Sequence, residues 1–327
     1  MKRPILVITG AAGMIGSCAV RYLNDLGNDQ LVLVDDLKKN EKWKNLVRKS
    51  FLDLIPKAKI FDFLQERGDE VGGILHLGAC SDTTEQDADY LMENNVRFTI
   101  RLAEWALLEN KRFVYASSAA TYGDGKEGFL DEEEGLDFLK PLNMYGYSKH
   151  LVDLWMKRTG GFQRAVALKY FNIFGPNEYH KGKMRSMVLK MAEVAKREGG
   201  ISLFQSNDPD HFADGEQARD FLYVKDAVKM TLSFFEQKNL PIAGVFNIGQ
   251  GKATTWNFLA NSLCKALEIP KNISYIEMPK ELSKQYQNYT CAEMTKFLRH
   301  FPDFEATSID EAVRDYVKNY IVKDERW

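Results

Sequence analysis

The chain has 327 residues, 45% of them hydrophobic, enough to bury a large core as one large domain or two intimate ones. Lysine and arginine total 44 against 46 acidic residues, a net charge of −2 that leaves no electrostatic footprint for nucleic acid or a membrane surface. The cysteines, Cys18, Cys80, Cys264 and Cys291, have neither metal nor redox spacing, and no apolar run approaches the ~20 residues of a membrane span, so free thiols in a reducing cytoplasm are expected.

Pro4-Ile5-Leu6-Val7-Ile8-Thr9 reads as a buried strand and not as a signal peptide. It leads into the turn Thr9-Gly10-Ala11-Ala12-Gly13-Met14-Ile15-Gly16. A helical pattern follows with Ile15, Ala19, Tyr22, Leu23 and Leu26 on one face, ending at Gly27. Leu31–Val34 is a second continuous apolar run. Residues 73–77 and 112–116 read as further strands, with a long helix over 90–108 between them. A strand at 165–169 follows the helix that bears Tyr145 and Lys149. This βαβα series predicts an α/β fold, a Rossmann-type doubly wound parallel sheet. Beyond Gly175-Pro176 the pattern loosens, and a polar, turn-rich stretch occupies 205–217. Residues 1–173, completed by 219–250, are expected to form the dinucleotide-binding domain. Residues 174–218 and 251–327 are expected to form a smaller α/β region over the C-terminal strand edge, where ligands of open α/β sheets sit.

Three segments carry chemistry. The glycine turn joins a strand to a helix, the context in which the backbone approaches a pyrophosphate and a helix N-terminus faces it. Asp35 at the end of the second strand favours ribose hydroxyls and hence NAD, while Lys38, Lys39, Lys42 and Lys44 in the next loop could neutralise the 2′-phosphate of NADP. The residues leave both cofactors open, and a merely solvated lysine loop as well. Tyr145 and Lys149 lie four apart, so they share a helix face, and an ammonium there can favour the phenolate for proton exchange with a substrate hydroxyl. Ser118, leaving a strand with Ser117, is placed to bond the same substrate oxygen. Tyr147 reads as a packing residue, His76 as a core histidine, and Asp131-Glu132-Glu133-Glu134 as a solvated acidic loop; no metal site is expected.

The glycine turn, Ser118 with Tyr122-Gly123, the Tyr145/Lys149 pair and Tyr170-Phe171-Asn172-Ile173-Phe174-Gly175-Pro176 together resemble the extended short-chain dehydrogenase/reductases that act on nucleotide sugars. A narrower resemblance is to the ADP-glycero-manno-heptose 6-epimerases. It rests on Gly78-Ala79-Cys80-Ser81 followed by Thr83-Thr84-Glu85, on 117–123, on Pro141 to Lys149, and on His180-Lys181-Gly182. The resemblance implies that Tyr145 transfers a proton, Lys149 holds the nicotinamide ribose, Ser118 completes the set and Lys181 is a second acid/base that also contacts the cofactor. An epimerase must deliver hydride to either face of a carbonyl, which gives a second base a purpose. From spacing alone, Lys181 reads as a solvated loop lysine before it reads as a second base.

The implied reaction is oxidation of the C6″ hydroxyl by tightly held NADP, turning of the 6″-ketone, and reduction from the other face. It interconverts ADP-D-glycero- and ADP-L-glycero-D-manno-heptose for the lipopolysaccharide inner core. Implied cofactor contacts are Gly10, Gly13, Met14, Ile15, Gly16, Asp35, Asp36, Lys42, Lys57, Leu77, Gly78, Ala79, Cys80, Ser81, Asn94 and Ile173. Asn172, Arg219 and Tyr286 match substrate contacts, with Arg219 pairing the diphosphate. The alternative for Arg219 is an ion pair with Asp220 or a neighbour. Phe204-Gln205-Ser206-Asn207 occupies the position of the nucleotide-binding loop with a different sequence. Lys183 and Lys190 stand where the family has Ser and His, and an insertion at about 208–217 precedes Arg219. These departures bear on base and sugar recognition. Self-association into a homo-oligomer is also implied. A 4-epimerase or a 4,6-dehydratase is the alternative enzyme, although Ala119-Ala120-Thr121 lacks a dehydratase's Asp-Glu pair. A non-catalytic NAD(P)-binding regulator is the alternative of another class, and Tyr145 argues against it.

Overall fold

Strand residues with alternating side chains on two covered faces must be apolar throughout, and the first strand shows how the chain meets this. Ile5 and Val7 of β1 (Ile5–Thr9) face one hydrophobic cluster, while Leu6 and Ile8 face the other. In β2 (Leu31–Val34), Val32 and Val34 divide from Leu31 and Leu33 in the same way. The computed structural model describes residues 3–236, 242–283 and 286–327.

The remaining strands are β3 (Asp53–Ile55), β4 (Val71–His76), β5 (Arg112–Ser118), β6 (Ala165–Tyr170), β7 (Asn172–Phe174), β8 (Ile201–Phe204), β9 (Ala218–Tyr223), β10 (Gly244–Ile248), β11 (Ala253–Thr255) and β12 (Ile273–Ile276). Seven of them form one parallel sheet in the order β10-β6-β5-β4-β1-β2-β3. The winding reverses between β1 and β4, and that crevice is where such sheets bind ligands. A three-stranded sheet, β11-β9-β7, and a two-stranded one, β12-β8, hold much of the second half. β9 therefore lies outside the large sheet, and within 219–250 it is β10 that joins it. Among the described residues no helix is long and apolar enough to cross a membrane.

Two expected elements differ in detail. The helix after the glycine turn spans Met14–Asp25 and buries Met14, Gly16 through Val20, and Leu23. Leu26, expected on its inner face, is 54% exposed, because the chain leaves the helix there and turns at Gly27 with φ +70°. The long helix over 90–108 is Ala88–Leu91 and Phe98–Leu108 joined by a π-helical segment, Met92–Arg97. In that widened segment Asn95 accepts from Cys80 N, donates to Cys80 O, and donates to Ser148, and Asn94 accepts from Lys57 Nζ.

Candidate active site

The first cavity grows from the turn after β1. Gly10 sits at φ +67°, and a Cβ on it would lie 2.7 Å from Gly78 N. A Cβ on Gly16 would lie 2.3 Å from Gly10 O. Neither neighbour is a movable side chain, so only glycine permits this close packing of two backbone turns. Gly13 caps the helix Met14–Asp25 without a side-chain hydrogen bond, leaving first-turn N–H groups and the positive helix end for an anion. They open on a cavity of about 650 Å³ also lined by 77–81, Asn94 and the loop after β2. In that loop Asp35 accepts from Ala12 N at 2.9 Å and from Lys42 Nζ at 2.5 Å, and Asp36 accepts from Lys57 N at 3.0 Å. Lys57 donates to Asn94 Oδ1 at 2.6 Å and stands over the Phe98 ring. Lys38 lines the cavity, whereas Lys44 pairs with Glu41. A glycine cradle, an uncapped helix N-terminus and acids at the ribose end fit a nicotinamide dinucleotide.

A second cavity, of about 560 Å³, shares Met14, Ile15, Leu77, Ala79, Ser81, Ala116, Lys181 and Met184 with the first. Tyr145, Lys149, Ser118, Asn172 and Ile173 line it. Asn143 begins the helix Met144–Arg158, accepting from Gly146 N at 2.8 Å, and so fixes the turn that carries Tyr145 and Lys149. Lys149 is buried and donates to Ala116 O at 2.7 Å. Burial pulls its amine down to about 8, with Asp153 and Cys80 opposing. Burial raises the Tyr145 phenol, and a hydrogen bond with Ser118 pulls the other way. The expected lowering of this phenol by Lys149 is not seen: the ammonium faces the Ala116 carbonyl, and the net shift is upward.

Ser118 Oγ accepts from Ala120 N at 3.1 Å at the strand exit. Ser117 points inward and donates to Asp153, which also accepts from Tyr115 and Lys169. Lys169 and Asp153, 2.8 Å apart and fully buried, form an ion pair beneath this strand edge. Lys181 lies on the 3-10 segment Tyr179–Met184 and lines both cavities. Burial lowers its pKa, Glu178 opposes that, and Lys190 adds to it.

The other expected substrate residues lie outside the walls of these two cavities. Arg219 on β9 is 7% exposed, with its guanidinium 4.8 Å above the Tyr286 ring and donating to Ala218 O. Asp220 is not its partner; it accepts from the backbone N–H groups of Gln250, Gly251 and Ala292. Phe204 ends β8, and Gln205 N donates to Ile276 O. Ser206 N donates to Asp214 and Asn207 Nδ2 to Ser283 O, which ties down the segment 208–217. Lys183 is exposed near Asp82, and Lys190 lies on the helix Met187–Glu198.

Asn40 and His180 line the first cavity, and Phe221, Trp256 and Gln287 the second, without having been singled out for those places. His180 had a signal in its neighbour Lys181, and Asn40 in the lysine loop around it; Phe221 lies on β9 of the small sheet, two residues from Arg219, while Trp256 follows β11 and Gln287 comes from another part of the chain. Tyr147, read as packing, is 52% exposed because it lies on the outer face of its helix. The acidic loop is not wholly solvated: Asp131 is 2% exposed and accepts from Asn247 N. His76 is 2% exposed and bonded to Thr9 and Thr99, as a core histidine should be. No three His, Cys, Asp or Glu among the described residues are grouped to hold a metal.

Residues 6–249 match the NAD dependent epimerase/dehydratase family. An ADP-L-glycero-D-manno-heptose-6-epimerase of Nitratidesulfovibrio vulgaris is 45% identical over 318 residues, covering 96% of this chain and 97% of its own. One from Fusobacterium nucleatum is 40% identical, covering 99% and 100%. The chain belongs to the ADP-L-glycero-D-manno-heptose-6-epimerases, within the NAD dependent epimerase/dehydratase family. The crystal structure of the Helicobacter pylori ADP-L-glycero-D-manno-heptose-6-epimerase superposes with a TM-score of 0.79 at 25% identity, covering 97% of this chain and 96% of that one. Membership of this NAD dependent family supports a nicotinamide cofactor for the chain.

Proposed function

We propose that this chain interconverts ADP-D-glycero- and ADP-L-glycero-D-manno-heptose at C6″, using tightly held NADP. The near full-length likeness to enzymes so named supports the substrate. The observation that carries the mechanism is Lys181, which borders the cofactor cavity and lines the other cavity together with Tyr145. A bound nicotinamide would supply the two-electron redox chemistry at C6″, first as hydride acceptor and then as hydride donor. Tyr145 Oη holds the proton of the C6″ oxygen in one orientation of the sugar, with Ser118 Oγ bonded to the same oxygen. Lys181 Nζ holds it in the other. Lys149 fixes the nicotinamide ribose. The 6″-ketone would turn between the two proton carriers, and because the hydride and proton lost in the first half are regained in the second, no net redox change results.

The Lys42–Asp35 pair supports NADP. It neutralises the carboxylate that would repel a 2′-phosphate, while Lys38 stands at the same end. Asn172, Arg219 and Tyr286 take the nucleotide sugar, with Arg219 on the diphosphate. The enzyme works in the cytoplasm as a homo-oligomer. Incubation with ADP-D-glycero-D-manno-heptose, followed by NMR at C6″, should show a mixture of epimers, and no change at C6″ would end this reading. Nucleotide released by denaturation should carry the 2′-phosphate. Recovery of NAD alone would mean that Asp35, and not the lysines, decides the cofactor.

A further inference from the structure

The loop that presents Lys181 is closed by one buried carboxylate. Glu178 is wholly buried, beside a left-handed Asn177 at φ +72°. It accepts from Gly175 N at 3.4 Å where the loop begins. Where the loop ends, it accepts from Ser186 N and from Ser186 Oγ at 2.7 Å. Tyr316, on the C-terminal helix Ile309–Tyr316, donates to it at 3.1 Å. A buried carboxylate needs such donors to offset its lost hydration, and here they come from both ends of the segment carrying Lys181. The Glu178 carbonyl also accepts from Lys181 N at 3.0 Å.

We propose that Glu178 is a positioning residue for the second acid/base: it clasps 175–186 into one loop and so sets Lys181 at the junction of the two cavities, with its own carboxylate charge in the same loop. The proposal rests on the role of Lys181 given above. The charges around Lys181 fit it. Glu178 favours the ammonium, and Lys190 on the helix Met187–Glu198 disfavours it, as burial does. His180 beside it is itself held down to about 4 by burial and by Lys181, so it stays neutral near pH 7. Tyr145 and Lys149 line the same cavity, and Arg185 is engaged by Glu193. Glu178 is thus the carboxylate that acts on Lys181 from within its own loop.

Glu178→Gln keeps the shape and one acceptor and removes the charge. The limb of the kcat–pH profile set by Lys181 should then move to lower pH. This is the alkaline limb where Lys181 donates the proton and the acid limb where it accepts it. At the wild-type optimum kcat should fall roughly 10-fold with KM nearly unchanged, because an interaction of the transition state is lost. In a Lys181→Met background the same change should cost almost nothing further, since Glu178 acts through Lys181. An unmoved limb, or costs that simply multiply, would overturn the proposal. If Lys181→Met alone epimerises normally, the function of Lys181 fails first, and the two failures are thereby distinguished. Should Glu178→Gln not fold, Ser186→Ala carries the test. It loosens the clasp and keeps the charge, so kcat should fall with the limb in place. A wild-type kcat there would overturn the clasp.

Discussion

At the scale of single residues, Tyr145 is the sharpest test. Burial raises its phenol, and a hydrogen bond with Ser118 opposes that rise. Tyr145→Phe keeps the ring and removes the hydroxyl through which Tyr145 would exchange its proton. Turnover should fall at least ~10²-fold, while the purified protein keeps its nucleotide and its melting curve. Turnover near wild type would remove Tyr145 from the mechanism. His76 gives a stability test of the opposite kind. Burial depresses its imidazole to about 3, far below the ~6.5 of an unfolded chain. Between those values the unfolded state binds the extra proton, so the native state loses stability as pH falls through this window. His76→Gln removes that loss. The variant's deficit, measured by denaturant unfolding, should therefore shrink from pH 7 to pH 4.5, and a constant deficit would show that the ring is not buried neutral.

At the scale of elements, the sequence announced what has a local cause. The runs at Ile5–Thr9 and Leu31–Val34 are apolar because both faces are covered, and this is visible without coordinates. The glycine turn and the Tyr145/Lys149 spacing are equally local. The π-helical segment Met92–Arg97 was not legible, because it depends on Asn95 bonding Cys80 and Ser148 across the fold. Nor was the inward turn of Ser117, which depends on Asp153 and its buried partner Lys169. Glycine positions separate local from tertiary demands. Gly16→Ala would thrust a methyl 2.3 Å from Gly10 O, in a turn with no room to yield. It should purify depleted of nucleotide and melt at a lower temperature. Gly27→Ala meets nothing within 4 Å but must hold φ +70°, so it should lose about 1 kcal/mol and keep its cofactor. Full nucleotide content in Gly16→Ala would contradict the cradle.

At the scale of the whole molecule, the large sheet and the small sheets divide the work. The cofactor cavity is built from the edges of β1, β2 and β4, all within the first 100 residues, apart from Ala116 and the loop of Lys181. That half was largely readable. The other half was not: Phe221, Trp256 and Gln287 reach one cavity from distant places in the chain, and no spacing links them. Resemblance singled out Arg219, and the structure adds a physical reason to test it. Its guanidinium is buried, lies over Tyr286 and is not paired with Asp220. A buried guanidinium held chiefly by an aromatic face keeps its planar fork of donors for a bidentate pair of oxygens, such as two oxygens of a diphosphate. Because Arg219 lies on β9, outside the large sheet, its removal should leave the cofactor alone. Arg219→Met should raise KM for the nucleotide sugar ~10- to 100-fold, with kcat changed only a few-fold and nucleotide content unaltered. Arg219→Lys should recover little of the affinity, since an ammonium lacks the forked geometry. A normal KM in both variants would return Arg219 to a structural role and move the diphosphate site elsewhere.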